Sequence, residues 1–349
     1  MRWKLADQTD GQGAFFSDEE LVDRHVGSGE FRGLEFLHVN ARTIINEIPK
    51  AAQLPFHFTI NVYRGCSHAC TYCFARPTHD YLGLGIGRDF ETKIVVKINA
   101  VERLRAELRS PKWTGAHIAM GTNTDPYQRC EGKYHLTQGV IRALGEAANP
   151  FSILTKSTLI LRDLDLLEQA AAVTDVRCNF SIGTLDEDVW RATEPGTPHP
   201  RRRVEAVRKL NEAGIPCGVL VAPILPAMSD RPDQIEEVVR ACVDAGAVSV
   251  GGIPLHLRRG VREHFMSWLA DARPDLVDQY DQRYGGRAYL PVKEREDVGR
   301  MVRGAVRRAG GLAEHPRTQL TPSAPSTRPT ASTDPSPPQP DVTQLDLAL

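Results

Sequence analysis

The sequence predicts an α/β fold built on a parallel sheet, and three observations carry that prediction. From about residue 55 to residue 252, short β-rich runs alternate with amphipathic helical patterns, giving six β–α repeats in succession. The β-rich runs are apolar almost throughout, as strands covered on both faces should be. Gly214 and Gly246 sit where a helix would stop before the next strand begins.

In order, the strand candidates are 57–63, 116–121, 151–155, 176–182, 216–221 and 247–253, with helical patterns over 96–109, 137–148, 161–172, 202–213 and 232–245. Residues 1–50 form a prologue that contains the run RTIINEIP, and 51–256 hold the repeated array. Residues 257–312 read as a helical extension, with the segment REHFMSWLADARP and a second pattern over 292–308. These read as appendages packed on the sheet. Residues 313–349 carry TPSAPSTRPTASTDPSPPQP, which has no apolar period that could bury a face, and predict a disordered tail. The final VTQLDLAL is read as a frayed end, with docking on the body as the alternative.

Composition narrows the function classes. With 41% hydrophobic and 25% charged residues the chain has material for a core. A formal net charge of −1 argues against a protein that grips polyanions by bulk charge, so a nucleic-acid substrate would need a local basic groove. The opening MRWKLADQTDGQG lacks the apolar core of a signal peptide. The most apolar stretch, from Cys217 to Met228, is short and broken by Pro223 and Pro226, so no membrane span is expected. Seven cysteines without an export signal are expected to stay reduced in a cytoplasm.

The first strand candidate runs into NVYRGCSHACTYCFARP, which places Cys66, Cys70 and Cys73 at Cys-x3-Cys-x2-Cys spacing. A loop this short can wrap three thiolates around one metal centre, and soft thiolates select iron–sulfur clusters, zinc or Cu(I). A closed zinc site needs a fourth donor, which His68 or His79 could supply. A cubane held by three thiolates instead leaves one iron open to an exogenous ligand. Three unligated core cysteines are the plain alternative.

This spacing, with Tyr72 before the last cysteine, resembles the signature of the radical S-adenosylmethionine (radical SAM) superfamily. Over roughly residues 41–308 the chain is similar to the DNA-repair-photolyase-like branch that includes spore photoproduct lyase, in an uncharacterised bacterial subgroup. INVYRGCSHACTYCFARPTHDYLGLG, GTNTDPYQRCE and LTKSTLILRDLDLL carry that likeness. The resemblance implies a partial (β/α)6-type barrel with a 4Fe–4S cluster on Cys66, Cys70 and Cys73 at its C-terminal mouth, where barrel active sites lie. It implies S-adenosylmethionine as second cofactor, cleaved reductively to a 5′-deoxyadenosyl radical, and an electron donor of flavodoxin or ferredoxin type. It also sets Tyr72 beside the cofactor.

The same resemblance assigns the further cofactor contacts. Gly121 would let backbone approach the ligand, and Asn123 or Asp125 would accept from the methionyl amino group; the alternative is an Asx turn leading into Pro126. Lys156 matches the branch's carboxylate contact, against a merely solvated lysine. Ser181 matches a carboxylate or ribose contact, although a backbone carbonyl would satisfy it too. Glu194 and Arg201 to Arg203 follow the fourth strand; Arg202 is the expected guanidinium for a carboxylate or phosphate, against a solvated helix start. Arg258, Arg259 and Arg262 form a second basic cluster after the last strand, suited to phosphates or simply to an exposed helix face. One departure matters: spore photoproduct lyase has a hydrogen-atom-donor cysteine near the end of its second strand, and here that stretch has none. Cys130 comes later, and Cys178, Cys217 and Cys242 read as core. The thymine-dimer chemistry is therefore not carried over.

The expected function is a radical SAM enzyme acting on a nucleic acid, its component or another large substrate. Modification of a peptide or small metabolite is the alternative within enzymology. A non-catalytic iron–sulfur or zinc redox sensor is the alternative outside it, and such a sensor has no use for Asn123, Asp125, Lys156 and Ser181 at successive strand ends.

Overall fold

The computed structural model describes residues 21–49 and 54–313. The expectations for the start of the prologue and for the tail from residue 314 onward lie outside the described residues. The strands are β1 (Leu21–Val26), β2 (Glu35–Val39), β3 (Ile45–Glu47), β4 (Phe58–Ile60), β5 (Tyr63–Arg64), β6 (Lys93–Lys97), β7 (Ile118–Met120), β8 (Phe151–Thr155), β9 (Val176–Ser181), β10 (Cys217–Ile224) and β11 (Val250–Pro254). The main sheet has seven strands in the order β11-β10-β9-β8-β7-β4-β3. Its six strands from β4 to β11 are parallel, with Phe58 opposite Ile118, Ile118 opposite Phe151, Phe151 opposite Val176, Cys178 opposite Cys217 and Val219 opposite Val250. β3, from the prologue, closes one edge antiparallel to β4. Among the described residues no pairing joins β3 to β11, so the sheet is an open, partial barrel.

The crossovers are the helices Ala100–Leu108, Leu136–Glu146, Leu164–Ala171, Pro200–Glu212 and Pro232–Asp244. The last two begin on proline, whose fixed φ and missing N–H suit a first helical turn. Along Pro200–Glu212 the buried positions Arg203, Ala206, Val207 and Leu210 keep helical spacing, which lays one stripe on the sheet.

Three elements differ from the sequence reading, the first being the strand expected over 57–63, which is divided between β4 in the main sheet and β5 in another. The helix expected over 96–109 starts only at Ala100, because Lys93–Lys97 is a strand. Its Ile94, Val95 and Val96 are β-branched and buried between β2 and β5, an environment that favours strand over helix. That strand belongs to a second sheet of order β1-β2-β6-β5, which the sequence did not suggest. The helix expected over 161–172 opens as a 3-10 turn, Thr158–Asp163, capped by the Ser157 side chain.

The C-terminal segment is also more integral than an appendage. Its last helix, Val292–Arg308, puts Val298, Val302 and Ala305 into the main core. Phe265, Leu269, Tyr280 and Tyr284 form a second core with Leu255 and Leu257 that reaches Cys70 and Tyr72. The extension therefore supports the cysteine loop directly. No helix among the described residues is long and apolar enough to cross a membrane.

Candidate active site around the cysteine loop

The cysteine loop leaves β5 at Gly65 and is tied down by backbone groups rather than by its own secondary structure. Thr124 Oγ1 and Gln128 Nε2 donate to the Gly65 carbonyl at 2.6 and 3.0 Å, and Gln128 Oε1 accepts from the Ser67 N–H at 3.0 Å. The Thr71 N–H reaches the Thr193 carbonyl at 3.0 Å, and the Gly196 N–H reaches the His68 carbonyl at 3.0 Å. A Cβ on Gly196 would lie 2.3 Å from the Ser67 carbonyl oxygen, so only glycine allows this approach. Arg76, fully buried, donates from Nη2 and Nε to the Cys70 carbonyl at 2.8 and 3.2 Å and pairs with Glu91.

Cys66 and Cys70 are buried and Cys73 is half-buried, all three free thiols. Burial pushes each of them above the ordinary thiol range, and for Cys66 the neighbouring Asp125 and the other two thiols add to the effect. Such thiols stay neutral unless a cation is supplied, and metal coordination deprotonates a thiol outright. The donor set fits a polynuclear centre better than a single ion. Sulfurs around one tetrahedral zinc lie about 3.8 Å apart. Among the described residues the only trio of His, Cys, Asp or Glu ligand atoms within 4.8 Å of one another is Asp23, His25 and His38, so the three sulfurs are spread more widely. Neither His68 nor His79 has a ring nitrogen grouped with two of the thiols inside that 4.8 Å distance. His68 Nδ1 faces Asp125 at 3.4 Å, and His79 Nε2 is bonded to the Lys93 carbonyl at 3.0 Å.

Beside the loop lies a compact ionic group. Lys156, just past β8, places Nζ 2.7 Å from Ser181 Oγ and 3.3 Å from Glu194 Oε1. The ammonium stands over the Tyr72 ring, 5.6 Å from its centroid. Tyr72 donates its hydroxyl to Glu194, which is also paired with buried Arg203. Burial would raise the Glu194 carboxyl, but Arg203 and Lys156 outweigh it and hold it down to about 2. The trio of two cations and one anion thus carries one surplus positive charge. Ser181 Oγ donates onward to the Ala222 carbonyl at 2.7 Å, so the backbone alternative for this hydroxyl is realised alongside its contact with Lys156.

Several expected contacts fall differently. Asp125 makes the Asx turn, accepting from the Tyr127 N–H at 2.9 Å, and binds Thr155 Oγ1 at 2.6 Å and the Lys156 N–H at 2.7 Å. Burial raises its carboxyl, yet His68 and these donors win and the net shift is downward. Asp125 is therefore a brace between β7, β8 and the loop. Asn123 stands half-buried at the end of β7, its N–H held by Asn61 Oδ1 at 3.1 Å. Gly121 has φ +91°, and a Cβ there would sit 2.0 Å from the Leu154 carbonyl oxygen, so the neighbouring strand by itself demands glycine. Arg202 is exposed on Pro200–Glu212 and does not join the group; Arg203, one residue on, does. The helical period held that signal, since Arg203 shares the face of Ala206, Val207 and Leu210. Of the second basic cluster only Arg258 approaches the loop, 5.5 Å from the Phe74 centroid, while Arg262 pairs with Asp281 at 2.7 Å and Arg259 is exposed. Arg76, Gln128 and Thr124 were not anticipated; each lies within or beside a recognised motif, but a backbone brace leaves no periodic mark. Cys130, Cys178, Cys217 and Cys242 are all buried.

Comparison with known proteins gives one consistent result. Residues 60–242 match the Radical SAM superfamily model. An uncharacterized protein of Mycobacterium tuberculosis is 46% identical over 273 residues, covering 78% of this chain and 80% of its own. Solved structures of spore photoproduct lyase share the fold: one, with bound AdoMet and dinucleoside spore photoproduct, aligns with a TM-score of 0.57 and 19% identity, over 80% of this chain and 81% of that one. A radical SAM Nalpha-GlyT isomerase of Pseudomonas phage M6 is 24% identical over 169 residues, covering 48% of this chain and 33% of the phage protein.

Proposed function

Because this chain belongs to the radical SAM superfamily, we propose that Cys66, Cys70 and Cys73 hold its 4Fe–4S cluster and that the Lys156 group receives S-adenosylmethionine. Radical SAM enzymes use that cluster and that cofactor, the cluster supplying the electron that cleaves the sulfonium. The observation that carries the assignment of the second half is the surplus positive charge of Lys156, Arg203 and Glu194 next to Tyr72. A carboxylate arriving at Lys156 completes the pairing that Glu194 alone leaves unbalanced, and a charge-assisted hydrogen bond of this kind fixes orientation as well as affinity. Ser181 and the Ala222 carbonyl hold the Lys156 ammonium in place, and the Tyr72 ring beneath it excludes water. Asn123, at the end of β7, is the side chain left for the methionyl amino group. Asp125, expected in that role too, acts one step back through the loop.

A nucleic acid or one of its components is the substrate class we favour, with an electron donor of flavodoxin or ferredoxin type. Two observations support it: Arg258 over Phe74 beside Cys73 supplies a guanidinium and an exposed ring at the loop's rim, and the shared fold holds a dinucleoside in spore photoproduct lyase. The reading is tested by reducing the anaerobically reconstituted protein with dithionite in the presence of S-adenosylmethionine. 5′-Deoxyadenosine should form with the native chain and be absent with Cys66→Ala, Cys70→Ala or Cys73→Ala. No cleavage by a fully loaded native chain would sink the proposal.

A further inference from the structure

We propose that Asp23, His25 and His38 form a second metal site, on the surface of the four-stranded sheet, that takes a zinc-class divalent ion. β1 and β2 pair antiparallel with Asp23 opposite His38, and His25, two residues along β1, shares the face of Asp23. The three side chains bring one ligand atom each to within 4.8 Å of the others. His25 Nε2 lies 2.9 Å from Asp23 Oδ2, and the His25 and His38 ring centroids are 4.6 Å apart. Tetrahedral zinc with bonds near 2.1 Å sets its ligand atoms about 3.4 Å apart, so the trio needs only a small contraction, available to the exposed Asp23 and His25 against half-buried His38.

The chemistry of the set selects the ion. Two imidazoles and one carboxylate suit zinc and its neighbours, with water in the open position, whereas calcium and magnesium require oxygen ligands throughout. His38 is already prepared for the role. Its Nε2 is 2.7 Å from the Tyr134 hydroxyl, the kind of outer partner that fixes a ligating ring and leaves Nδ1 for the metal. Lys133 is a cation on this side of the sheet; its ammonium is drawn over the Phe36 and Tyr134 rings, 5.6 and 5.3 Å from their centroids.

The site is separate from the cysteine loop, and its effect would be mechanical. Among the described residues β1 pairs only with β2, and its side chains beyond Leu21 are exposed. An ion shared by Asp23, His25 and His38 cross-links the two strands where apolar burial is thin.

The test uses the cluster-loaded full chain, dialysed anaerobically against micromolar zinc, with zinc and iron counted per chain. The native protein should retain about one more zinc than His25→Ala, His38→Ala or Asp23→Asn, with iron equal in all four. Removing even an outer partner of a ligand costs about 10–100-fold in metal affinity, so each ligand variant should weaken zinc binding at least tenfold. Zinc should also slow amide exchange across residues 21–26 in the native chain alone. Equal zinc in native and variant proteins would overturn the proposal. Because zinc captured by empty cysteines would appear equally in all four, that failure is distinct from a failure of the cluster assignment.

Discussion

The molecule contains two buried ionic groups of similar parts and opposite charge balance. In one, Arg162 pairs with Glu131 at 3.0 Å and Asp163 at 2.8 Å, two carboxylates to one guanidinium. Neutral donors absorb the excess: Tyr63 Oη at 2.5 Å and the Thr137 N–H at 3.0 Å serve Glu131, while Tyr127 Oη at 3.1 Å and Gln138 Nε2 at 2.7 Å serve Asp163. In the other, Lys156 and Arg203 share Glu194, and the imbalance has the opposite sign. Its neutral neighbours serve both signs: the Tyr72 and Thr197 hydroxyls donate to the carboxylate, Ser181 Oγ and the Ala222 carbonyl accept from Lys156, and the Pro198 and Ser181 carbonyls accept from Arg203. The first group is saturated within the chain and staples helices to the sheet. The second has its hydrogen bonds met within the chain but keeps one unit of positive charge, and the proposed carboxylate site rests on that charge. A buried ion pair is weak evidence of stability in itself; the sign of the charge left over is what separates the two groups.

Variants on the two sides should therefore fail in different ways. The largest stability effect is expected from Glu131→Ala, which leaves Tyr63 Oη and the Thr137 N–H without their buried acceptor. The loss should be about 3 kcal/mol or more in denaturant unfolding, while the folded fraction keeps its affinity for S-adenosylmethionine. Lys156→Ala should do the reverse. Iron content and unfolding midpoint should change little, but cofactor binding, measured by equilibrium dialysis, should weaken by roughly ten- to a hundred-fold, the equivalent of about 1.5–3 kcal/mol. Arg202→Ala, on the exposed side of the helix that carries Arg203, should leave both quantities within about 0.5 kcal/mol of native. If Lys156→Ala bound the cofactor as tightly as the native chain while losing stability, the two groups would both be staples and the comparison would collapse.

How much of this was legible in the sequence follows the same division. The strands β8 and β9 and the helices Pro200–Glu212 and Pro232–Asp244 read directly, because their apolar period is set by burial on the sheet. β6 did not, since its β-branched run abuts a helical pattern and its partners β2 and β5 come from distant and irregular segments. The cysteine spacing was readable because three thiols in one short loop have few other uses. The ionic group was half readable: Lys156 and Ser181 stand at strand ends, but the choice of Arg203 over Arg202 depends on which face of the helix meets the core. That face was implicit in Ala206, Val207 and Leu210. The braces Arg76, Thr124 and Gln128 bind carbonyl oxygens of the loop, and no pattern in sequence marks which carbonyl needs a donor.

The central claim is that Cys66, Cys70 and Cys73 carry an iron–sulfur cluster with one iron left open for the cofactor. Iron, sulfide and zinc counted in the same anaerobically reconstituted sample test it most directly. The account predicts about four iron and four sulfide per chain, lost together in Cys66→Ala, Cys70→Ala and Cys73→Ala and unaffected in Lys156→Ala. Stoichiometric zinc on those cysteines with no iron, or a full cluster that survives loss of any one of the three, would contradict it.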